Sequence, residues 1–373
     1  MKEKLNNFFL SIKKGFSKMD PRFKNSLLAV GIGILVGFIV MLIFNPANAF
    51  PALFAMLLGG FRGGIKGVGD VLLKATPIIL TGVALAVTFK SGLFNIGAPG
   101  QMVIGAYVAI HVGVLWPLPP VIHWLVALIL GTIAGAIWGA IPGLLKAFRN
   151  VNEVVSSIML NYIAMYLVVY LVRSNVYNQL YAKSKNILPS AELPQMSLIF
   201  GNSDVNIGLF IAIGVALLIH YVFRHTVLGY ELKATGFNPD ASRYAGMNSK
   251  LNIVTSMVIS GAIVGLAGAI QYLVIGTNLG VTSTLLGEGF DGISVALLGM
   301  LEPIGALISG IFLSHIRQGG YYMQVYGFPP QIIEIIISIV VYTTSISAGI
   351  SLFYQRIKRQ REEKKLKESE DKN

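Results

Sequence analysis

The chain has 373 residues, 54% hydrophobic and only 12% charged, with a net charge of +12 and a mean hydropathy of +0.69. Soluble proteins carry roughly 25% charged residues, and the Lys and Arg residues here sit mostly at the two ends and in short loops, as the positive-inside rule of membrane proteins requires and a nucleic-acid surface does not. No cysteine is present, which excludes disulfides, thiolate metal sites and a cysteine nucleophile.

Apolar runs near the length needed to cross ~30 Å of hydrocarbon recur from residue 26 to residue 353. They are continuous and do not alternate in ~10-residue segments, which argues against a β-barrel. The expected fold is all-α, a polytopic membrane protein of about ten transmembrane helices. Residues 1–25, beginning MKEKLNNFFLSIKKGFSKMD, are charged and lack a small-residue cleavage site, so they read as a retained cytoplasmic tail.

The first span is expected at residues 26–44, closed by Asn45-Pro46. Residues 47–70, broken by Gly59, Gly60, Gly63, Gly64 and Gly67 with Arg62 and Lys66 among them, read as a surface helix and turn. Further spans are expected at 71–89, 94–116, 121–145 and 153–172, then a polar outer loop over 173–205 and a sixth span at 207–223. After a polar insert come spans at 253–275, 289–300, 304–315 and 331–352, and a charged cytoplasmic tail at 354–373. The transmembrane body is thus 26–353, with a cytoplasmic loop at 224–250. Both termini return to the cytoplasm.

Two stretches place polar groups inside the membrane. FKSGLFNIGAPGQMVIGAY, residues 89–107, sets Asn95 and Gln101 among Gly92, Gly97, Pro99 and Gly100. Irregular backbone at membrane depth persists only where protein or a watery cavity satisfies it, so this stretch reads either as cavity lining or as close packing through small residues. LGEGFDGISVALLGMLEP, residues 286–303, brings Glu288 and Asp291 to the head of a short apolar run. An acid at membrane depth marks a functional site, whereas at the interface it serves the helix dipole; both readings stand. Phe94-Asn95-x-Gly97 and Phe290-Asp291-Gly292 share an aromatic, a short polar side chain and a glycine, in spans of opposite expected direction. Broken segments at matching places in inverted halves point to a midplane substrate site.

The polar insert, GYELKATGFNPDASRYAGMN from Gly229, carries its own start and stop signals. Glu231 to Thr235 make a helical turn that Gly236 is expected to end. Asn238 is then an N-cap, Pro239 fits the first helical position, Asp240 suits the positive end of a helix and Gly246 suits its C′ position. A short capped helix outside the membrane fits a groove on another protein, with Ala241 allowing close approach and Glu231, Lys233, Asp240 and Arg243 offering charges. The five histidines show no metal spacing. There is no phosphate-binding loop, so any ATP that drives the protein binds another chain, and this chain needs no cofactor or metal and has no catalytic residues.

The insert followed by SGAIVGLAG resembles the cytoplasmic coupling region of ATP-binding-cassette importer permeases of the ribose, branched-chain amino acid and nucleoside type. FNIGAPGQMVIGAYVA, GFDGISVALLG and NPANAFPALFAMLLGGF bring the resemblance closest to the nucleoside branch, which works with a lipoprotein of the BMP kind. It covers about residues 26–350. That branch often has Glu before the glycine where Pro99 stands here, so no carboxylate role transfers to that position.

The resemblance implies ten helices in two inverted sets, in a bacterial plasma membrane. It implies pairing with a second permease or a copy of itself, with two ATPase subunits, and with an extracytoplasmic substrate-binding lipoprotein. It makes Phe94, Asn95, Gln101, Phe290 and Asp291 pathway-lining residues for a nucleoside, and assigns coupling to the ATPase to Glu231, Lys233, Gly236, Asn238, Pro239, Asp240, Ala241, Arg243 and Gly246. A ribose-type sugar or branched-chain amino acid is the alternative cargo. Of other classes, a cation-coupled secondary transporter needs ionisable groups buried midway, and an integral membrane enzyme needs a catalytic cluster that the sequence lacks.

Overall fold

In the computed structural model the described residues are 21–343 and 346. Most of the expected N-terminal tail, the end of the last span and the C-terminal tail lie outside them. The helices in chain order are α1 (Pro21–Phe44), α2 (Ala49–Leu58), α3 (Ile65–Lys90), α4 (Ala98–Leu115), α5 (Ile122–Arg149), α6 (Glu153–Asn175), α7 (Gly208–His225), α8 (Val227–Phe237), α9 (Pro239–Tyr244), α10 (Ser249–Tyr272), α11 (Gly287–Leu298), α12 (Pro303–Met323) and α13 (Pro330–Thr343). A two-residue hairpin, β1 (Tyr177–Asn178) with β2 (Lys183–Ser184), pairs antiparallel in the expected outer loop.

The chain divides into two compact units, residues 56–321 and residues 1–55 with 322–373. Among the described residues six helices are long and apolar enough to cross a membrane, and the larger unit holds them: α3, α4, α5, α6, α7 and α10. Among these α3 is the most buried, at 83% of its apolar window, and α5 the least, at 28%. α3, α4 and α10 therefore form the centre, while α5, α6 and α7 show apolar side chains such as Ile129, Ile137, Tyr166 and Leu217 on the outside. A soluble protein could not sustain so much exposed apolar surface; in lipid it costs nothing.

α10 makes its widest contact with α5 and also packs on α4 and α3. The α5 seam is built from glycines. A Cβ added to Gly135 would collide with the carbonyl oxygen of Gly261, and one on Gly139 would lie 2.6 Å from the carbonyl oxygen of Met257. Without a hydrophobic drive between helices in lipid, such small residues let two backbones approach and gain dispersion contact.

Two expected boundaries shift by six residues or more. α3 starts at Ile65, six residues before the expected start of the second span, and so carries Lys66, Asp70 and Lys74 within a helix. Asp70 accepts a hydrogen bond from Ser203 at 2.7 Å, and Lys74 donates to Gln318 at 2.7 Å. α12 runs to Met323, well past the expected end at residue 315. His315 bonds to the Leu57 carbonyl at 2.8 Å and Arg317 pairs with Asp291. In both helices the polar residues that signalled an end from sequence are satisfied by neighbouring elements.

In the smaller unit α1 and α13 lie side by side: Thr343 donates to the Ala29 carbonyl at 3.1 Å, and a Cβ on Gly33 would lie 2.6 Å from Val340 Cα. Asn45 donates to the Tyr326 carbonyl at 3.4 Å.

Candidate functional site: a capped surface segment, a buried amide knot and a polar cavity

The insert folds into two helices. Thr226 caps α8, its hydroxyl accepting from the Gly229 amide at 3.2 Å. With that start α8 runs on to Phe237, so Gly236 does not end it as expected. Gly236 instead sits inside the helix because its missing side chain admits the end of α3: a Cβ there would collide with the Lys90 carbonyl oxygen and lie 2.8 Å from the Gly92 amide.

The second helix, α9, has the expected caps. The Asn238 side-chain oxygen Oδ1 accepts from the amides of Asp240 and Ala241, both at 3.0 Å. Pro239 takes the first helical position, and Gly246 has the positive φ of +85° that a C′ residue needs. Ser242 faces inward and donates to the Pro239 carbonyl at 2.8 Å. Asp240, Ala241 and Arg243 face outward. Lys233 is spent inside the molecule, on the Phe223 carbonyl at the end of α7, 2.8 Å away. Glu231 is half-buried.

Sequence reasoning passed over the two aromatics that bracket α9. Phe237 is 91% and Tyr244 95% exposed, which is costly in water for two such large rings. The signal was present, as an aromatic just before the N-cap and another at the last helical position of a polar helix.

Asn95 and Gln101 are each 1% exposed and hold one another. The Asn95 amide nitrogen donates to Gln101 at 3.0 Å and to the Ser260 hydroxyl of α10 at 2.9 Å. Its carbonyl accepts from the Gly97 amide at 3.0 Å and from Gln101 at 3.2 Å. Asn161 of α6 completes the knot, accepting from the Gly100 amide at 2.9 Å and donating to the Ile96 carbonyl at 2.9 Å. These side chains satisfy the backbone of the α3–α4 bend, which no helix can. Phe94 is half-buried, edge-on to Phe89 with centroids 5.2 Å apart.

Ser260 also lies on a polar face of α10. Asn252, Ser256 and Ser260 follow at helical spacing, all buried, and Asn252 donates to Thr235 of α8 at 3.0 Å. One helix face thus joins the surface segment to the knot.

The third feature is a cavity of about 290 Å³ between α3, α10, α11 and α12. Its polar lining comprises Lys74, Gln271, Thr277, Glu288, Ser314, Arg317 and Tyr321; Pro77, Ile78, Ile270 and Val274 supply apolar wall. Gln271 donates to Glu288 at 2.9 Å, and Lys74 stands over the Tyr321 ring, 4.6 Å from its centroid. Asp291 meets the Arg317 guanidinium through both carboxylate oxygens, one contact measuring 2.7 Å. Of the expected pathway residues, Asp291 is brought to this cavity through Arg317. Phe290 is on the exposed side of α11, and Asn95 and Gln101 form the separate knot. Glu288, singled out from sequence beside Asp291, lines this cavity, and Gln271, Lys74 and Arg317 are the residues that sequence patterns did not gather with it.

Long apolar helices enclosing a polar cavity, with a capped polar segment outside them, define a polytopic membrane permease. The chain belongs to the family described as branched-chain amino acid transport system / permease component, whose model matches residues 67–345. It is 37% identical to the guanosine ABC transporter permease protein NupP of Bacillus subtilis, over 89% of this chain and 96% of that one. It is 34% identical to the nucleoside ABC transporter permease protein NupB of Lactococcus lactis, over 89% and 93% of the two chains. A glucose ABC transporter permease of Haloferax volcanii is 30% identical over 87% of this chain. No solved structure matches the chain.

Proposed function

We propose that this chain is the membrane permease of an ATP-binding-cassette importer that carries a nucleoside. It has no catalysis of its own; ATP is bound and hydrolysed by separate ATPase subunits. The substrate reading rests on the two relatives of 34–37% identity, whose names specify guanosine and nucleosides.

The structural observation that carries the coupling reading is α9. It is capped at both ends, exposed on one face, preceded by exposed Phe237 and ended by exposed Tyr244, and joined through α8 to the end of α3. We read it as the element that docks in the ATPase, which places residues 224–250 and both termini in the cytoplasm of a bacterial cell. Ten spans in two inverted sets, a second permease copy or homologue and an extracytoplasmic lipoprotein complete the assembly. Phe94 at the bend and Phe290 and Asp291 on α11 border the pathway, and the buried Asn95–Gln101 knot braces the bend beside it.

The test is uptake in membrane vesicles. Transport of radiolabelled guanosine should require the binding protein, ATP and the ATPase subunits, and free glucose or leucine should not compete. Concentrative uptake that persists without the ATPase would support a cation-coupled carrier instead.

A further inference from the structure

The cavity has two chemically different ends. From Lys74 to Thr81 α3 rises about 10 Å, and the Thr81 hydroxyl donates to the backbone carbonyl of Glu288 at 3.1 Å. The Lys74–Tyr321 pair and the Glu288–Gln271 pair therefore lie at separate levels of α3. At the first level stand an ammonium group and an aromatic ring, with the cation on one face of the ring. At the second stand hydrogen-bond acceptors. Glu288 forms no ion pair among the described residues, its recorded side-chain partner being the Gln271 amide. The Gln271 carbonyl oxygen is buried with no hydrogen-bond partner at all.

An ionised carboxylate is acceptor-only, and an orphaned amide carbonyl also needs a donor. The Glu288 carboxylate has one recorded donor, the Gln271 amide, and the Gln271 side-chain oxygen has none. So sparse a set of donors around an intramembrane acid is costly, and such an acid marks a functional site by default. What fits is a ligand with adjacent O–H donors at one end. At the other end it would carry a flat π-system with acceptor atoms, for the Tyr321 ring and the Lys74 ammonium. A cavity of about 290 Å³ is at the small end of the ~300–1,000 Å³ range of ligand pockets.

We propose that this cavity is the substrate site, that Glu288 and Gln271 hold the vicinal hydroxyls of a ribose, and that the base stacks on Tyr321. The proposal rests on the nucleoside reading and adds which part of the nucleoside each end recognises. Glu288 is then a specificity-determining residue for ribonucleosides against analogues without the diol.

The absence of cysteine from the chain permits a direct test. A single Thr277→Cys change puts one thiol on the cavity wall. In vesicles holding the assembled transporter without binding protein, its labelling by a maleimide is followed with guanosine or 2′,3′-dideoxyguanosine present. Guanosine should protect, and the dideoxy analogue should need about tenfold more or higher, the worth of a hydrogen bond to a charged group. Adding Glu288→Gln should remove that difference.

Equal protection by both ligands, or a ribose preference that survives Glu288→Gln, overturns the proposal. So does guanosine uptake by the complete transporter without protection by either ligand. If Glu288→Gln fails to insert, the comparison of the two ligands in the Glu288 background decides alone. Absence of any nucleoside uptake by the complete transporter sinks the nucleoside reading itself, a separate result.

Discussion

Gly92 and Gly236 meet backbone to backbone: a Cβ on Gly92 would lie 2.8 Å from the Gly236 carbonyl oxygen. Gly92 also has a φ of +71°, which disfavours any side chain there. The contact ties the α8–α9 segment to the end of α3, directly before the Asn95 bend. Displacement of α9 by a partner is therefore passed toward the bend by a rigid backbone contact, beside the α10 face that links Thr235 to Asn95.

Gly236→Ala should break this link. A methyl group forced into such a contact costs about 1–3 kcal/mol, and the strain falls on the joint and not on the cavity. The expected outcome is an assembled transporter that still hydrolyses ATP but has lost most of its substrate uptake. The measurement is paired ATPase and uptake rates in reconstituted vesicles; coupling at the level of the unsubstituted protein would remove Gly236 from the mechanism.

The cap and the aromatics of α9 make a second prediction, with separable effects. Asn238→Ala removes the acceptor for two amides and should weaken the helix by about 1 kcal/mol, while Asn238→Asp keeps the cap. Phe237→Ala and Tyr244→Ala leave the helix intact but remove the exposed rings. If those rings anchor the ATPase, each should weaken its binding by about 2 kcal/mol, roughly thirtyfold. Titration of the ATPase onto permease in nanodiscs reads this, and unchanged affinity in both ring variants would mean that α9 docks by its polar face alone.

Asn95→Leu tests the knot. The change strips partners from Gln101, Ser260 and the Gly97 amide, each buried group costing about 1–3 kcal/mol when left unmet. The variant should unfold at lower temperature and transport little. Asn95→Asp, which keeps the acceptor for Gly97 but loses the donor to Ser260, should be damaged as well. A normal melting temperature with only a raised KM would show that Asn95 contacts substrate and has no architectural part.

The Asp291–Arg317 pair is largely shielded, with side-chain exposures of 12% and 25%. Removing one partner of a buried pair costs about 3–5 kcal/mol, somewhat less here because Arg317 borders an open cavity. Asp291→Asn alone should therefore lower thermal stability and uptake. Combining it with Arg317→Gln should recover part of the stability, by a thermal-shift double-mutant cycle. Additive losses would show that the two residues act independently.

How much of this was legible in the sequence depends on range. The caps of α9 are readable because Asn238, Pro239 and Gly246 act on amides and carbonyls within a few residues of themselves. Six of the ten expected spans are readable because hydrophobic length alone decides them, and among the described residues six helices have that length. The continuation of α12 through Arg317 to Met323 was not, since it depends on Asp291, which lies in the preceding helix and not beside Arg317 in sequence. Gly236 looked like a helix stop for the same reason; only the approach of Lys90 and Gly92 explains why it lies within α8. The cavity draws its polar wall from α3, α10, α11 and α12, and no spacing rule joins Lys74 to Glu288 or Arg317.

The glycine seam between α5 and α10 has a consequence for natural variation. At Gly131, Gly135 and Gly139 on one side and Gly261 and Gly265 on the other, even a methyl group would have to displace backbone or a packed neighbour. Substitutions in descendants of this sequence should therefore be rejected at every fourth position along two stretches far apart in the chain. Lipid-facing neighbours such as Ile129, Ile133 and Ile137 should drift freely among apolar residues. A table of tolerated mutations would then reveal that these two helices touch, with no coordinates at all.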